Sequence, residues 1–184
     1  MTVLALLRHA DTAWSAAGRI QGRTDVPILP RAAIALPQRC RGMRVVASPL
    51  RRCVQTAELL GLPHELDPRL MEMHWGQWEG RTLTELREHP AMRENEGRGL
   101  DFRPQGGESP RDVLARVQPW LREVASDGRA TLAVTHRGVI RVVFAQATGW
   151  DLRGEPPCKL EWDAAHFFRL DSEGRPSIDT LNVR

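Results

Sequence analysis

Three short strand-like runs in this chain each end in arginine or histidine. Val3 to Leu7 passes directly into Arg8-His9, and Arg44-Val45-Val46-Ala47 opens into Ser48-Pro49-Leu50-Arg51-Arg52-Cys53-Val54-Gln55-Thr56-Ala57. Thr131-Leu132-Ala133-Val134 opens into Thr135-His136-Arg137-Gly138. Continuous apolar runs of this length are what a parallel sheet covered on both faces requires. Ligands of open α/β sheets bind outside the carboxyl ends of the strands. One cation beside an imidazole would fit an ordinary surface turn, but three such exits in one chain point to a shared site on one sheet edge.

Helical patterns separate the runs, which places the chain in the α/β class, with one domain over residues 1–184. Pro49 to about Leu60 reads as a helix starting beside Arg52. Ser109-Pro110 with Asp112 supplies a cap, a first-turn proline and a first-turn acid before Val113, Leu114, Val117, Leu121 and Val124, the clearest helix despite Pro119. Arg137 to about Thr148 reads as a helix closing at Gly149, its anion-favouring N-terminus at the same edge as His136. Residues 165–170 and 177–182 flank a turn at Asp171 to Pro176, the pattern of an edge hairpin. The polar stretch from His89 to Glu108 lacks a pattern and is expected to form a loop over the site.

Composition narrows the function. A chain of 184 residues buries a core without staples. Its three cysteines, Cys40, Cys53 and Cys158, lie far apart with no Cys-x-x-Cys spacing, so neither a disulfide framework nor a metal site is suggested. The N-terminal apolar run falls short of the ~7–15 residues of a signal-peptide core, and nothing approaches the ~20 of a membrane span. A cytoplasmic protein without membrane contact is expected. The net charge of +3 comes almost wholly from arginine, Lys159 being the single lysine. That disfavours Schiff-base chemistry and favours forked recognition of phosphate. Without a basic run or aromatic-interleaved patch, nucleic acid is not an expected partner.

Between the second and third exits lies Leu70-Met71-Glu72-Met73-His74-Trp75-Gly76-Gln77-Trp78-Glu79-Gly80. With this segment the order and spacing resemble the histidine phosphatase superfamily, the phosphoglycerate-mutase-like proteins, over nearly the whole chain. The resemblance implies a three-layer α/β/α fold with a mostly parallel central sheet. It implies His9 as a phosphate-accepting nucleophile, Arg8, Arg52 and His136 as the phosphate pocket, and Glu72 as the acid-base residue, with no metal or other cofactor. Gly18 to Asp25 resembles the family's Arg-x-Gln-Gly-x-x-Asp segment and Gly106-Gly107-Glu108-Ser109 its Gly-Glu-Ser turn, making Arg19, Gln21 and Glu108 candidate pocket residues. Arg19 and Asp25 either contact substrate or pair locally. Arg51 reads as a surface charge, Trp75, Gly76 and Trp78 as packing and turn residues, and His74 as an alternative proton donor. His64, His89 and His166 have no motif around them.

Four positions depart from the family pattern, Asp11 among them where glutamate or serine is usual. Ala10 stands where glycine is usual and tolerates its place only with negative φ. Ser15 stands where an asparagine commonly helps bind phosphate, and Arg137 replaces the first glycine after the late histidine. The expected activity is hydrolysis of a small phosphorylated metabolite through a phosphohistidine, with α-ribazole-5′-phosphate one family-based substrate. A phosphoglycerate mutase and a non-catalytic phospholigand-binding module are the alternatives. The sequence leaves monomer and homodimer open.

Overall fold

The computed structural model describes residues 1–184, the side chain of Glu96 excepted. In chain order the elements are β1 (Thr2–Arg8), α1 (Ala13–Ala16), β2 (Arg44–Ala47), α2 (Arg51–Leu59), β3 (Glu65–Leu66), α3 (Leu83–Arg87), α4 (Pro90–Glu96), α5 (Pro110–Asp127), β4 (Thr131–Thr135), α6 (Arg137–Thr148), β5 (Ala165–Leu170) and β6 (Pro176–Val183). The six strands form one sheet in the order β3-β2-β4-β1-β5-β6. β1, β2, β3 and β4 run parallel, and the β5–β6 hairpin adds antiparallel to β1.

Two-residue alternation divides the strand side chains between two apolar layers. Leu4, Leu6, Val46 and Ala133 pack with Val113, Val117, Leu121, Ile140 and Phe144 of α5 and α6. Ala5, Leu7, Val45, Ala47, Leu132 and Val134 face the other way, against Cys53 and Ala57 of α2. The architecture is therefore three-layered α/β/α. α5 stays helical through Pro119. Pro119 and Ala115, whose carbonyl it leaves without a helical donor, are both exposed residues.

One sequence expectation needs correction. The stretch from His89 to Glu108 contains α4 and a 3₁₀ turn at Gly99–Asp101. Pro90 occupies the first helical turn, and the His89 ring Nδ1 caps it by accepting the Ala91 N–H at 3.2 Å. Such a short, polar helix has too little apolar content to show a period. α3 likewise rests on a local device, the reciprocal Thr82–Glu85 capping box. The helices at Arg51–Leu59 and Arg137–Thr148 and the terminal hairpin lie within two residues of their expected bounds.

Candidate active site

The three strand exits are tied together by main-chain bonds that extend the parallel ladder past the strands. The His9 N–H donates to the Thr135 carbonyl at 2.9 Å, and the Ser48 N–H to the Val134 carbonyl at 3.0 Å. His9, Ser48 and His136 are thereby held in register.

His9 is 3% exposed, and its Nδ1 lies 2.8 Å from the carbonyl of Ala10. A carbonyl only accepts, so Nδ1 carries the proton and Nε2 keeps its lone pair. Burial, then the charges of Arg8 and Arg52, push the imidazole pKa well below its usual value, so the ring is neutral at pH 7. Ala10 is held in turn: its N–H donates to Thr56 Oγ1 at 2.9 Å, whose hydroxyl donates to the Arg52 carbonyl at 2.6 Å. The positive-φ residues other than glycine are Leu152 and Asn182, so Ala10 meets the condition its Cβ imposes.

Arg52 and His136 are fully buried behind His9. The Arg52 guanidinium donates to the carbonyls of Gly22 at 2.7 Å and Thr24 at 2.9 Å, and from Nε to His136 Nδ1 at 3.2 Å. That acceptor role fixes the proton on His136 Nε2, which lies 2.8 Å from Ser48 Oγ. Burial, followed by the charge of Arg52, holds His136 neutral, and its ring centroid lies 5.3 Å from that of His9. Arg51 is exposed, as the spacing of the motif implies.

In front of His9 opens a cavity of about 550 Å³, lined in part by Arg8, His9 and Glu72. Glu72 is 9% exposed. Its Oε1 accepts the Met73 N–H at 2.8 Å and the Gly138 N–H at 3.1 Å. Burial raises the carboxyl pKa, outweighing the N–H donors and the charge of Arg52. A methyl group at position 138 would drive into Glu72 Oε1, so the second residue after His136 must be glycine for the carboxyl to sit there.

The remaining candidates divide. Ser15, Arg19 and Gln21 line the cavity. The Ser15 hydroxyl is engaged with Asp11 at 3.0 Å and in the α1 capping box, and the Gln21 carbonyl oxygen accepts from Thr12 at 2.8 Å. Arg19 donates to the Gly80 carbonyl at 2.6 Å and Asp25 accepts the Arg51 N–H at 2.7 Å, so the two do not pair with each other. Glu108 is not among the lining residues. Its carboxylate accepts from Arg23 at 2.8 Å, from Arg116 at 3.1 Å and from the His74 N–H at 3.0 Å. Burial would raise its pKa, but these donors pull it below the usual range. Arg116 in turn donates to the carbonyls of Met71 at 2.7 Å and Glu72 at 3.2 Å, so Glu108 braces the Glu72 segment from behind. The His74 ring faces Glu79, at 3.7 Å. Met92, Phe102, Arg141 and Leu152 also line the cavity without a sequence motif to announce them, and Trp75 joins them from the Glu72 segment.

The sequence profile of the histidine phosphatase superfamily (branch 1) matches residues 4–183. The chain belongs to that superfamily. Among its relatives, this histidine phosphatase family member is 33% identical to the glucosyl-3-phosphoglycerate phosphatase of Mycobacterium tuberculosis (strain ATCC 25618 / H37Rv), across 98% of this chain and 90% of that one. It is also 33% identical to a probable phosphoglycerate mutase of Enterobacter sp. (strain 638), across 96% of this chain and 87% of that one. A solved structure of mycobacterial glucosyl-3-phosphoglycerate phosphatase complexed with VO3 superposes with a TM-score of 0.82 and 26% identity, covering 100% of both chains.

Proposed function

We propose that the protein is a phosphomonoesterase that hydrolyses a small phosphorylated metabolite through a phosphohistidine on His9, without a metal. The observation that carries this reading is the free, neutral Nε2 of His9, held by a main-chain bond and facing a cavity that also presents Arg8 and Glu72. A phosphate ester resists attack because its oxygens are negative, so catalysis needs positive charge, a nucleophile and a proton donor. Nε2 attacks phosphorus and the P–O bond to the leaving group breaks. The departing oxygen takes the proton of Glu72, whose raised pKa keeps that proton available. Glu72, now ionised, deprotonates a water that attacks the phosphohistidine and returns His9 to its neutral form.

Arg8 is assigned to the phosphoryl oxygens, while Arg52 and His136 act through His9, Arg52 by its charge and His136 by fixing Arg52. The positive charge that faces the phosphoryl oxygens is thus supplied by guanidinium. Among the described residues no group of three or more His, Cys, Asp or Glu is placed to hold a metal ion. Water as the final acceptor distinguishes this reading from a mutase. No helix of the structure is long and apolar enough to cross a membrane.

The test is release of inorganic phosphate, in chelator, from p-nitrophenyl phosphate and from a panel containing glucosyl-3-phosphoglycerate, phosphoserine and α-ribazole-5′-phosphate. Wild type is expected to turn over, His9→Ala to lose at least about 10⁴-fold, and a brief quench to trap acid-labile phosphohistidine. Phosphoryl transfer to a second hydroxyl without phosphate release would make it a mutase. Tight binding of phosphate esters without turnover would make it a binding module.

A further inference from the structure

Four arginines line the cavity, and two of them already have a role: Arg8 is assigned to the phosphoryl oxygens and Arg19 is bonded to the main chain. Arg8 lies 3.5 Å from Asp11, and Arg19 donates to Gly80. The other two, Arg137 and Arg141, have no carboxylate or carbonyl partner among the described residues, and both belong to the first turns of α6. Instead each lies on an indole: Arg137 at 4.6 Å over the Trp162 ring and Arg141 at 5.2 Å over Trp150. Stacking fixes the plane of a guanidinium while leaving its N–H fork free at the edges, the geometry that receives a carboxylate or phosphate in two bonds.

Placing like charges four residues apart on one helix face is unfavourable by itself. Here Arg141 is also partly withdrawn from water, while Arg137 at the head of the helix is exposed. The wall beside the pair carries a further cost, since Leu152, a lining residue, sits at φ 68°, a conformation that L side chains rarely adopt. Two cations without a carboxylate partner on one cavity wall are accounted for by an anion that belongs between them. Arg137 directly follows His136 at the start of α6, and Arg141 lies about 6 Å further along the helix axis, four residues at the helical rise, so the pair leads away from the strand exit that carries His136.

We propose that Arg137 and Arg141 form a second anion subsite that selects phosphomonoesters whose leaving group carries its own carboxylate or phosphate. The proposal rests on the phosphomonoesterase reading and names the substrate class for it. Arg137, which departs from the family's glycine, and Arg141, one turn further on, are then specificity-determining residues of this particular chain.

Matched substrates decide it: 3-phosphoglycerate against glycerol 3-phosphate, which differ in the carboxylate, and fructose 1,6-bisphosphate against fructose 6-phosphate, which differ in the second phosphate. Wild type is expected to favour the doubly anionic member of one pair by at least about tenfold in kcat/KM, and the responsive pair tells carboxylate from phosphate. In Arg137→Gln/Arg141→Gln that preference ratio falls roughly 10- to 100-fold, chiefly through KM. Arg141→Lys, which keeps the charge and the packed stem but not the fork, retains part of it.

No preference in wild type for either pair, or a ratio unchanged in the double variant, overturns the subsite. Calorimetric titration of the same four compounds into His9→Ala separates the two claims. Preferential binding that the arginine substitutions abolish, in a protein that never releases phosphate, upholds the subsite and refutes hydrolysis. Turnover without preference does the reverse.

Discussion

The two walls of the cavity are built on opposite plans. At the strand exits, His9, Arg52 and His136 have their key polar atoms assigned to main-chain or buried partners, and the three side chains are almost entirely out of water. On the facing wall, Leu83 and Phe102 come from short elements and turns, and Arg137 and Arg141 keep their donors open. The first plan suits chemistry, where a 1 Å error is costly. The second suits recognition, where open donors and apolar surface wait for a ligand. Substitutions in the first wall should therefore disturb folding and activity together, whereas those in the second should mostly disturb affinity.

The contrast breaks most visibly at Arg52. Arg52→Ala strands two carbonyls and the His136 ring in a buried space and is expected to cost about 3–5 kcal/mol of stability together with most of the activity. Urea denaturation and kcat/KM on one preparation check both, and a fall in activity alone would mean that the wall is not structurally coupled.

Acid probes the same wall. His9 and His136 have pKa values depressed in the folded state, mainly by burial. Their contribution to stability is present above the unfolded value of about 6.5 and is lost as pH falls towards the folded values. Below about pH 6 the two rings together give a slope of up to about 2.7 kcal/mol per pH unit. His9→Ala should lower the measured slope by up to about 1.4 kcal/mol per pH unit, and an unchanged slope would show that the ring was not held neutral.

Smaller effects belong to the facing wall. Gly99 sits at φ 54°, and a Cβ there would strike the Asp151 carbonyl and the Arg153 side chain. Gly99→Ala is expected to cost about 1–2 kcal/mol and to raise KM more than it lowers kcat. The least effect should come from Leu83, which is 43% exposed although it lines the cavity. Leu83→Ala should shift stability by no more than about 0.5 kcal/mol, with a few-fold rise in KM. A stability loss as large as that of Arg52→Ala would erase the distinction between the walls.

The same division explains what could be read without coordinates. The strand runs announce themselves because both faces of the sheet are covered, and α5 and α6 because an apolar stripe repeats every turn. Those elements carry His9, Arg52 and His136, so their meeting follows from strand order. Glu72 was named by resemblance, and the structure supplies the reason for its altered acidity. The facing wall was not legible. α3 and α4 are capped by Thr82 and His89 rather than driven by periodicity, and Arg141 reads as one more polar residue on a helix. Glu108 shows the opposite failure: its motif directs attention to the pocket, yet its carboxylate braces Arg116.

The bond from His9 Nδ1 to the carbonyl of Ala10 has a consequence for how such a chain can change over generations. Its acceptor is an atom that every residue at position 10 possesses, so no replacement of a neighbouring side chain deletes it, provided the main chain keeps its course. The proton placement on the attacking ring is therefore shielded from point substitution. The Ala10 side chain, itself buried, can change only where its replacement fits the same space and tolerates the same φ.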